Sequence, residues 1–366
     1  MIPLFRPYIA PSADKAILDV LHSGMLAEGK VNEQFEQKLE EYLGYPVLTV
    51  NSGTSALAML YDLADIQRGD MVISTPITCA ATNLELLRRG AHVLWADVDD
   101  NGLIDVKSVH RLLHQYPNVR AVVGVDYGGL LCDHSSLHAL ATAYGAKFIV
   151  DSAQTFGASH EGRMVGNDCF GIAFSFQAIK HLTTGDGGAF AVRHLPHKME
   201  EGRLKRWFGL DRRAGGFRCE QDIKVLGGKF HLNDISASLG LANLEVLPAV
   251  LAISRSNAQY YQTELSGIDG LELPVSRDGD EPSWWSFIIR TERPAMFIEF
   301  LKSRGVESAK IHTRNDTKTV FRDFSKMYLP GVSRFDSRQV SIPVGAHVDK
   351  HDRQEVVYAV KEYFEK

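Results

Sequence analysis

Between Val47 and Val192, short runs rich in β-branched and aromatic residues alternate with longer helix-like stretches, and this alternation restricts the fold more than any other feature. The runs are VLTV (47–50), MVIST (71–75), HVLWADV (92–98), VRAVVGVD (119–126) and KFIVD (147–151). Between them lie TSALAMLYDLADI, ATNLELLRR, DVKSVHRLLHQY and HSSLHALATAYG. Strands alternating with helices of this length predict βαβ units and a mostly parallel sheet covered by helices on both faces. GIAFSF (171–176) and GAFAVR (188–193) add two strands around a turn rich in Gly and Thr.

After Gly240 the pattern changes. A helical stretch runs through LANLEVLPAVLAISRSNAQYYQTEL, where Pro248 is expected to kink or interrupt it. Strand WWSFIIR (284–290), helix-like PAMFIEFLKSRG, strand-like ESAKIHT (307–313) and a last helix, DRQEVVYAVKEYFEK, follow. The expected architecture is a large α/β domain over residues 1–245 and a smaller α+β domain over 246–366. With 366 residues, 45% of them hydrophobic, the chain is long enough to bury two such units.

A formal charge of -5 gives no electrostatic reason to expect nucleic acid or an anionic membrane as partner. The opening MIPLFRPYIAPSADK lacks the basic and long apolar regions of a signal peptide. No uninterrupted apolar run reaches the ~18 residues of a bilayer span, so a cytoplasmic protein is expected. Cys79, Cys132, Cys169 and Cys219 are scattered without metal-binding spacing, so no metal site is expected. All but Cys79 read as reduced, mostly buried small hydrophobes.

Four segments carry chemistry. Asn51-Ser-Gly-Thr-Ser-Ala-Leu57 passes from a strand into a helix, where small residues and free N–H groups suit a phosphate. The same run also serves as an ordinary N-cap. Asp151-Ser-Ala-Gln154 ends the strand KFIVD, and ligands in open α/β sheets collect at the carboxyl ends of strands. A carboxylate there can keep a pyridine nitrogen protonated, or it can cap the following loop. In Ser175-Phe-Gln-Ala-Ile-Lys180-His-Leu-Thr-Thr-Gly-Asp-Gly-Gly188 a lysine follows a buried strand and precedes a tight turn, a setting unlike that of a solvated surface lysine. Lysine amines form Schiff bases when their surroundings hold them partly unprotonated. Gly227-Gly-Lys229-Phe-His231-Leu-Asn-Asp234 reads as a loop before a helix, with Asn233 or Asp234 as its cap.

Together, the strand-end Asp151, Gln154 three residues on, and the Ser-x4-Lys-x4-Gly-x-Gly-Gly spacing from Ser175 resemble the DegT-type nucleotide-sugar aminotransferases. These have the aspartate-aminotransferase fold of pyridoxal-phosphate enzymes. The likeness covers nearly the whole chain, from LFRPYI and GMLAEGKVNEQFEQKLEEYLG to the final IPVG and helix. It implies that Lys180 is the Schiff-base lysine, that Asp151 pairs with the pyridine nitrogen, and that Gln154 contacts the ring hydroxyl. It also places Gly53, Thr54, Ser55 and Ser175 at the phosphate. Two departures stand out. Cys79 occupies the place of an aromatic residue that stacks on the ring. GGKFHLND resembles a GYNxR pattern whose asparagine reaches the phosphate of the neighbouring subunit; Lys229 stands there, and a cation binds phosphate at least as well. His231 replaces the arginine, for which the sequence offers no reason. The implied assembly is a homodimer with shared active sites.

RLKRWFGLDRR (203–213) reads either as a solvated face with a packed Trp or as a wall of a sugar-diphosphate pocket. His312 and Arg314, in His312-Thr-Arg-Asn-Asp316, are further candidates for that pocket, a polar turn being the alternative. The reaction implied by the resemblance has two halves. An amino-acid donor, glutamate in most of the family, leaves its amino group as pyridoxamine phosphate, and a keto sugar on a nucleotide diphosphate then takes it. Lys180 moves protons in both halves, as microscopic reversibility requires. The TTGDGG turn resembles members that act at C4, so the expected substrate is a 4-keto-6-deoxyhexose, for cell-surface polysaccharide or a related glycan. Relatives that dehydrate or deoxygenate such sugars carry histidine in place of Lys180. A non-catalytic regulatory protein of the same fold needs no such combination as Lys180, Asp151 and Gln154.

Overall fold

The computed structural model describes residues 1–215, 217–322, 324 and 327–365. In the first half of the chain the expected alternation appears as β1 (Leu48–Val50), β2 (Met71–Ser74), β3 (His92–Trp95), β4 (Val119–Val125) and β5 (Lys147–Asp151). Helices Gly53–Leu63, Ala80–Arg88, Val106–Gln115 and His134–Ala143 separate them. Short polar side chains start three of these helices: Ser52 accepts from the Ser55 N–H, Asp105 from Lys107 and Ser108, and Asp133 from Ser136.

Two tiny strands, β6 (Ser159–His160) and β7 (Arg163–Met164), precede β8 (Gly171–Ser175) and β9 (Gly188–Val192). The main sheet runs β1-β9-β8-β5-β4-β2-β3. β2 pairs in parallel with β3 and β4, and β5 with β4 and β8. β9 alone runs the other way, antiparallel to β8 and to β1. No helix lies between β8 and β9, so the chain cannot make the crossover that parallel pairing demands. Every residue of β1, β8 and β9 is buried, as expected for a sheet covered on both faces.

The C-terminal part holds β10 (Leu271–Glu272), β11 (Asp280–Glu281), β12 (Phe287–Thr291) and β13 (Gln339–Ile342). β10, β12 and β13 form an antiparallel sheet, and β11 pairs with β6, which pairs with β7. ESAKIHT is not a strand: within it only Ala309 forms an isolated bridge, to Ser341, and the ladder beside β12 belongs to β13. Of the two outcomes expected at Pro248, interruption does not occur: the helix runs continuously from Asp234 to Glu264. Proline removes one backbone hydrogen bond, but helices Ala13–Ser23 and Lys30–Leu43 pack along this helix, and packing outweighs one bond. By length and composition it could cross a bilayer, although its apolar residues are interrupted by polar ones; here one face is buried in the protein. Residue 245 lies within it, and a single hydrophobic core continues from Phe35 and Phe176 to Phe287 and Phe335.

Candidate active site

The candidate residues converge because four strands end on the same side. Gly53 follows β1, Cys79 follows β2, Asp151 ends β5, Ser175 ends β8, and Lys180 lies in the turn that follows β8. This is the edge at which ligands of open α/β sheets gather.

Asp151 is buried, and Thr82 Oγ1 donates to its Oδ2 at 2.6 Å while the Ala153 N–H donates to Oδ1 at 3.1 Å. Burial raises its carboxyl above the usual value, against the pull of those hydrogen bonds and of Lys180. A carboxylate with an enhanced hold on protons is suited to a protonated ring nitrogen. Thr82 Oγ1 lies 2.9 Å from Thr78 Oγ1, which ties Asp151 to the loop bearing Cys79.

Lys180 is half-buried, and loss of hydration lowers its ammonium to about 8, against the charge of Asp151 and of Cys79. A substantial fraction of neutral amine is therefore present near neutral pH. Its Nζ lies 3.8 Å from the centre of the Trp285 ring, whose Nε1–H donates to the Ile179 carbonyl at 2.8 Å. Phe5 stacks on the same indole at 4.7 Å. Trp285 was not singled out from the sequence; the one local sign was a doubled Trp opening a strand.

Gln154 is clamped. Its Oε1 accepts from the Gly128 N–H at 2.7 Å, and its amide nitrogen is 3.4 Å from His312 Nε2. Burial and the Lys180 charge lower His312 to about 4, so its ring is neutral and can accept this hydrogen bond. Gln339 donates to the His312 carbonyl at 3.1 Å, and Tyr127 donates to Gln339 at the same distance.

Gly53 and Ser175 meet closely. A Cβ on Gly53 would lie 2.8 Å from Ser175 Cβ, so only glycine lets the helix start against β8. Ser52 caps the Ser55 N–H, and Ser55 Oγ donates to Asn51 at 2.6 Å. The first N–H groups of the helix, those of Gly53 and Thr54, have no intrahelical acceptor, an arrangement that suits an anion. These residues fit the group that the resemblance implies. The helix start offers free N–H groups suited to a phosphate, Asp151 an acceptor suited to a ring nitrogen, and Lys180 an amine suited to an aldehyde carbon.

Other candidates are placed differently. Cys79 stands exposed at the start of helix Ala80–Arg88, near enough to Lys180 to influence its charge. Cys219 is exposed too, contrary to the expectation of burial, while Cys132 and Cys169 are buried. Lys229 is exposed, and its carbonyl accepts from Asn51 of the same chain at 3.3 Å. His231 packs edge-on against Trp207 at 4.0 Å, and burial with Arg212, Lys229 and Arg206 nearby lowers it to about 4. A neutral ring there adds no charge to a crowded cationic corner. Arg314 forms a two-bond pair with Asp316, at 2.8 and 2.6 Å, and also donates to Ser333. No described contact joins it to Lys180, Asp151 or Gln154.

In RLKRWFGLDRR all five basic residues form ion pairs, while Phe208 and Arg213 remain exposed. Arg206 is buried and holds Glu36 and Glu28, Arg212 also holds Glu28, and Lys205 holds Asp62. Arg203 and Arg213 both reach Glu200. Asn233 caps the long helix, whereas Asp234 accepts N–H bonds from Gly29 and Asn32 at the start of another. Asn315 is a residue the sequence did not reveal. Buried beside Arg314, it donates to the carbonyls of Pro76 and Thr78 at 3.1 and 2.8 Å and so pins the Cys79 loop from the far end of the chain.

Residues 7–361 match the model of the DegT/DnrJ/EryC1/StrS aminotransferase family. The chain belongs to this family. Among solved structures, the sugar aminotransferase CalS13 from Micromonospora echinospora is 31% identical, with a TM-score of 0.94 over 99% of this chain and 100% of that one. AtS13 from Actinomadura melliaura is 33% identical, also with a TM-score of 0.94, over 99% of this chain and 98% of that one. A UDP-4-amino-4,6-dideoxy-N-acetyl-beta-L-altrosamine transaminase of Helicobacter pylori is 28% identical over 98% of this chain and 97% of its own length. The DegT family is one of nucleotide-sugar aminotransferases, and its α/β architecture is the one described above.

Proposed function

We propose that the chain uses pyridoxal phosphate to transfer an amino group from an amino acid, glutamate first among the candidates, to C4 of a nucleotide-linked 4-keto-6-deoxyhexose. The observation that carries the reading is the convergence of a lysine lowered to about 8 and a buried aspartate at the carboxyl ends of neighbouring strands. When bound, the cofactor supplies an aldehyde and an electron-withdrawing ring that accept an amino group and release it again.

The chain's own residues do the rest. Lys180 offers a neutral amine, then moves a proton on and off the substrate carbon. Asp151 holds the ring nitrogen protonated. Gln154, fixed by Gly128 and His312, has an amide N–H left for the ring hydroxyl. Gly53, Thr54, Ser55 and Ser175 hold the phosphate. Retention of Lys180 speaks against the dehydratase reading. Its place among these groups speaks against a non-catalytic one.

The working form is proposed to be a homodimer in which Lys229 adds a cation to the phosphate of the partner's site. Support comes from its exposure beside Asn51, at the edge of the helix start, and from apolar side chains left in water at Leu18, Leu21, Met25 and Leu226.

The test is to add pyridoxal phosphate to the purified protein and record visible absorbance and unfolding temperature. A yellow species that bleaches with L-glutamate, and is lost in Lys180→Ala, is expected. Keto sugars on dTDP, UDP and GDP then identify the acceptor. No colour and no rise in unfolding temperature would sink the cofactor reading.

A further inference from the structure

Beneath the candidate site lies a buried charge that none of the roles above uses. Asp126 follows β4, is fully buried, and donates its N–H to the Asp151 carbonyl at 3.0 Å. All four acceptor positions of its carboxylate are filled. Oδ1 accepts from the Cys132 N–H at 3.0 Å and from His134 Nε2 at 2.8 Å. Oδ2 accepts from Ser152 Oγ at 2.5 Å and from Thr155 Oγ1 at 2.9 Å. Ser152 and Thr155 bracket Ala153 and Gln154, so one carboxylate holds both ends of the turn that joins Asp151 to Gln154.

The charge state follows from the surroundings. Burial alone would raise the Asp126 carboxyl, but His134 and the hydrogen bonds more than offset it and hold it below its usual value. Burial alone would lower His134, but Asp126 raises it. Each partner therefore favours the charged form of the other, imidazolium beside carboxylate. His134 is also the first residue of helix His134–Ala143, where the helix dipole disfavours a cation; a positive charge is kept there by Asp126. The other charged groups in range, Asp133, Arg277 and Asp280, pair among themselves, with Arg277 at 2.5 Å from Asp133 and 3.1 Å from Asp280.

Cys132 completes a triple of groups within 4.8 Å of one another that could face a metal ion. Because each carboxylate oxygen already accepts two hydrogen bonds, Asp126 has no lone pair left to give one. Its bonds go to the turn instead.

We propose that Asp126, with His134 as its counter-charge, is a positioning residue that sets the 152–155 turn so that Asp151 and Gln154 both face the cofactor ring. This rests on the cofactor reading above. Hydrogen bonds to a charged group are among the stronger ones in proteins, and a turn held at two points by one anion loses both anchors if that anion is neutralised.

The measurements are the dissociation constant of pyridoxal phosphate and the pH at which the visible absorbance of the bound cofactor titrates. They are made on the parent, Asp126→Asn, His134→Gln and Thr155→Val. Asp126→Asn should weaken cofactor binding by roughly ten-fold or more. All three variants should move the titration in the same direction. Thr155→Val keeps the shape and removes a single anchor, so it and His134→Gln decide the matter if Asp126→Asn does not fold. In a Gln154→Ala background the Thr155→Val shift should shrink, because one of the two residues through which it acts is gone. A parent that never colours defeats the cofactor reading itself. A parent that colours, with variants that titrate and bind as it does, overturns the positioning role. So does a fall in the unfolding midpoint of the cofactor-free protein with the titration unmoved.

Discussion

At Lys180 the fold holds an amine where water is scarce, so the ammonium is disfavoured and titrates near 8 instead of 10.5. Between those two values the unfolded chain binds more protons than the folded one, and stability rises with pH. Below about 8 the cost of burying the charge is present in full. Lys180→Met should therefore raise the unfolding midpoint of the cofactor-free protein at pH 7, and the gain should shrink towards pH 10.5. A midpoint unchanged at pH 7 would show that the amine is solvated. Asp151→Asn should slow turnover by several orders of magnitude with modest loss of cofactor; nearly full activity would make the carboxylate structural. Lys180, Asp151 and Gln154 could be found in the sequence because each lies in a short, spaced motif at a strand end. Trp285, Asn315 and Asp126 could not. The first two reach the site across 106 and 237 residues of chain, and Asp126 shows its role only through the side chains it holds.

Strand ends do the positioning, and their precision depends on loops braced by distant segments. Asn315→Ala would leave the buried Thr78 carbonyl short of a donor, at a cost of about 1–3 kcal/mol, while the Pro76 carbonyl keeps the backbone N–H groups of residue 315 and Thr78. Denaturant unfolding should show that loss, together with weaker cofactor binding through the displaced Cys79 loop. Gly53→Ala should drive the helix start away from Ser175 and lower phosphate affinity; equilibrium dialysis with pyridoxal phosphate measures it, and parent-like affinity would mean the contact yields freely. The parallel strands were legible because a buried strand and an amphipathic helix differ in length and residue type. ESAKIHT misled because its alternation fits a strand equally well, whereas pairing went to the four residues Gln339–Ile342. Pro248 does not interrupt its helix because packing along the helix outweighs one lost hydrogen bond.

The change in pattern sets the expected division at residue 245, which lies inside a 31-residue helix, and one core continues past it. Composition changes along a chain while packing need not. For the assembly, the expected result comes from mixing Lys180→Ala subunits with Lys229→Ala subunits. One site of a mixed dimer then carries both defects and the other neither, so with cofactor limiting, activity should exceed that of either parent. If exchange is confirmed and nothing is regained, Lys229 serves its own chain. The antiparallel strand β9 carries a consequence for synthesis. A Cβ on Gly188 would lie 2.7 Å from the Gly53 nitrogen, so the helix start proposed to bind the phosphate is walled by a residue that leaves the ribosome 135 positions later. At roughly 5–20 residues per second, the nascent chain spends about 7 to 27 s with that helix made and its binding cradle unbuilt. Cofactor can join this protein only late in translation or after it, and a chain stalled before residue 188 should emerge colourless however much pyridoxal phosphate surrounds it.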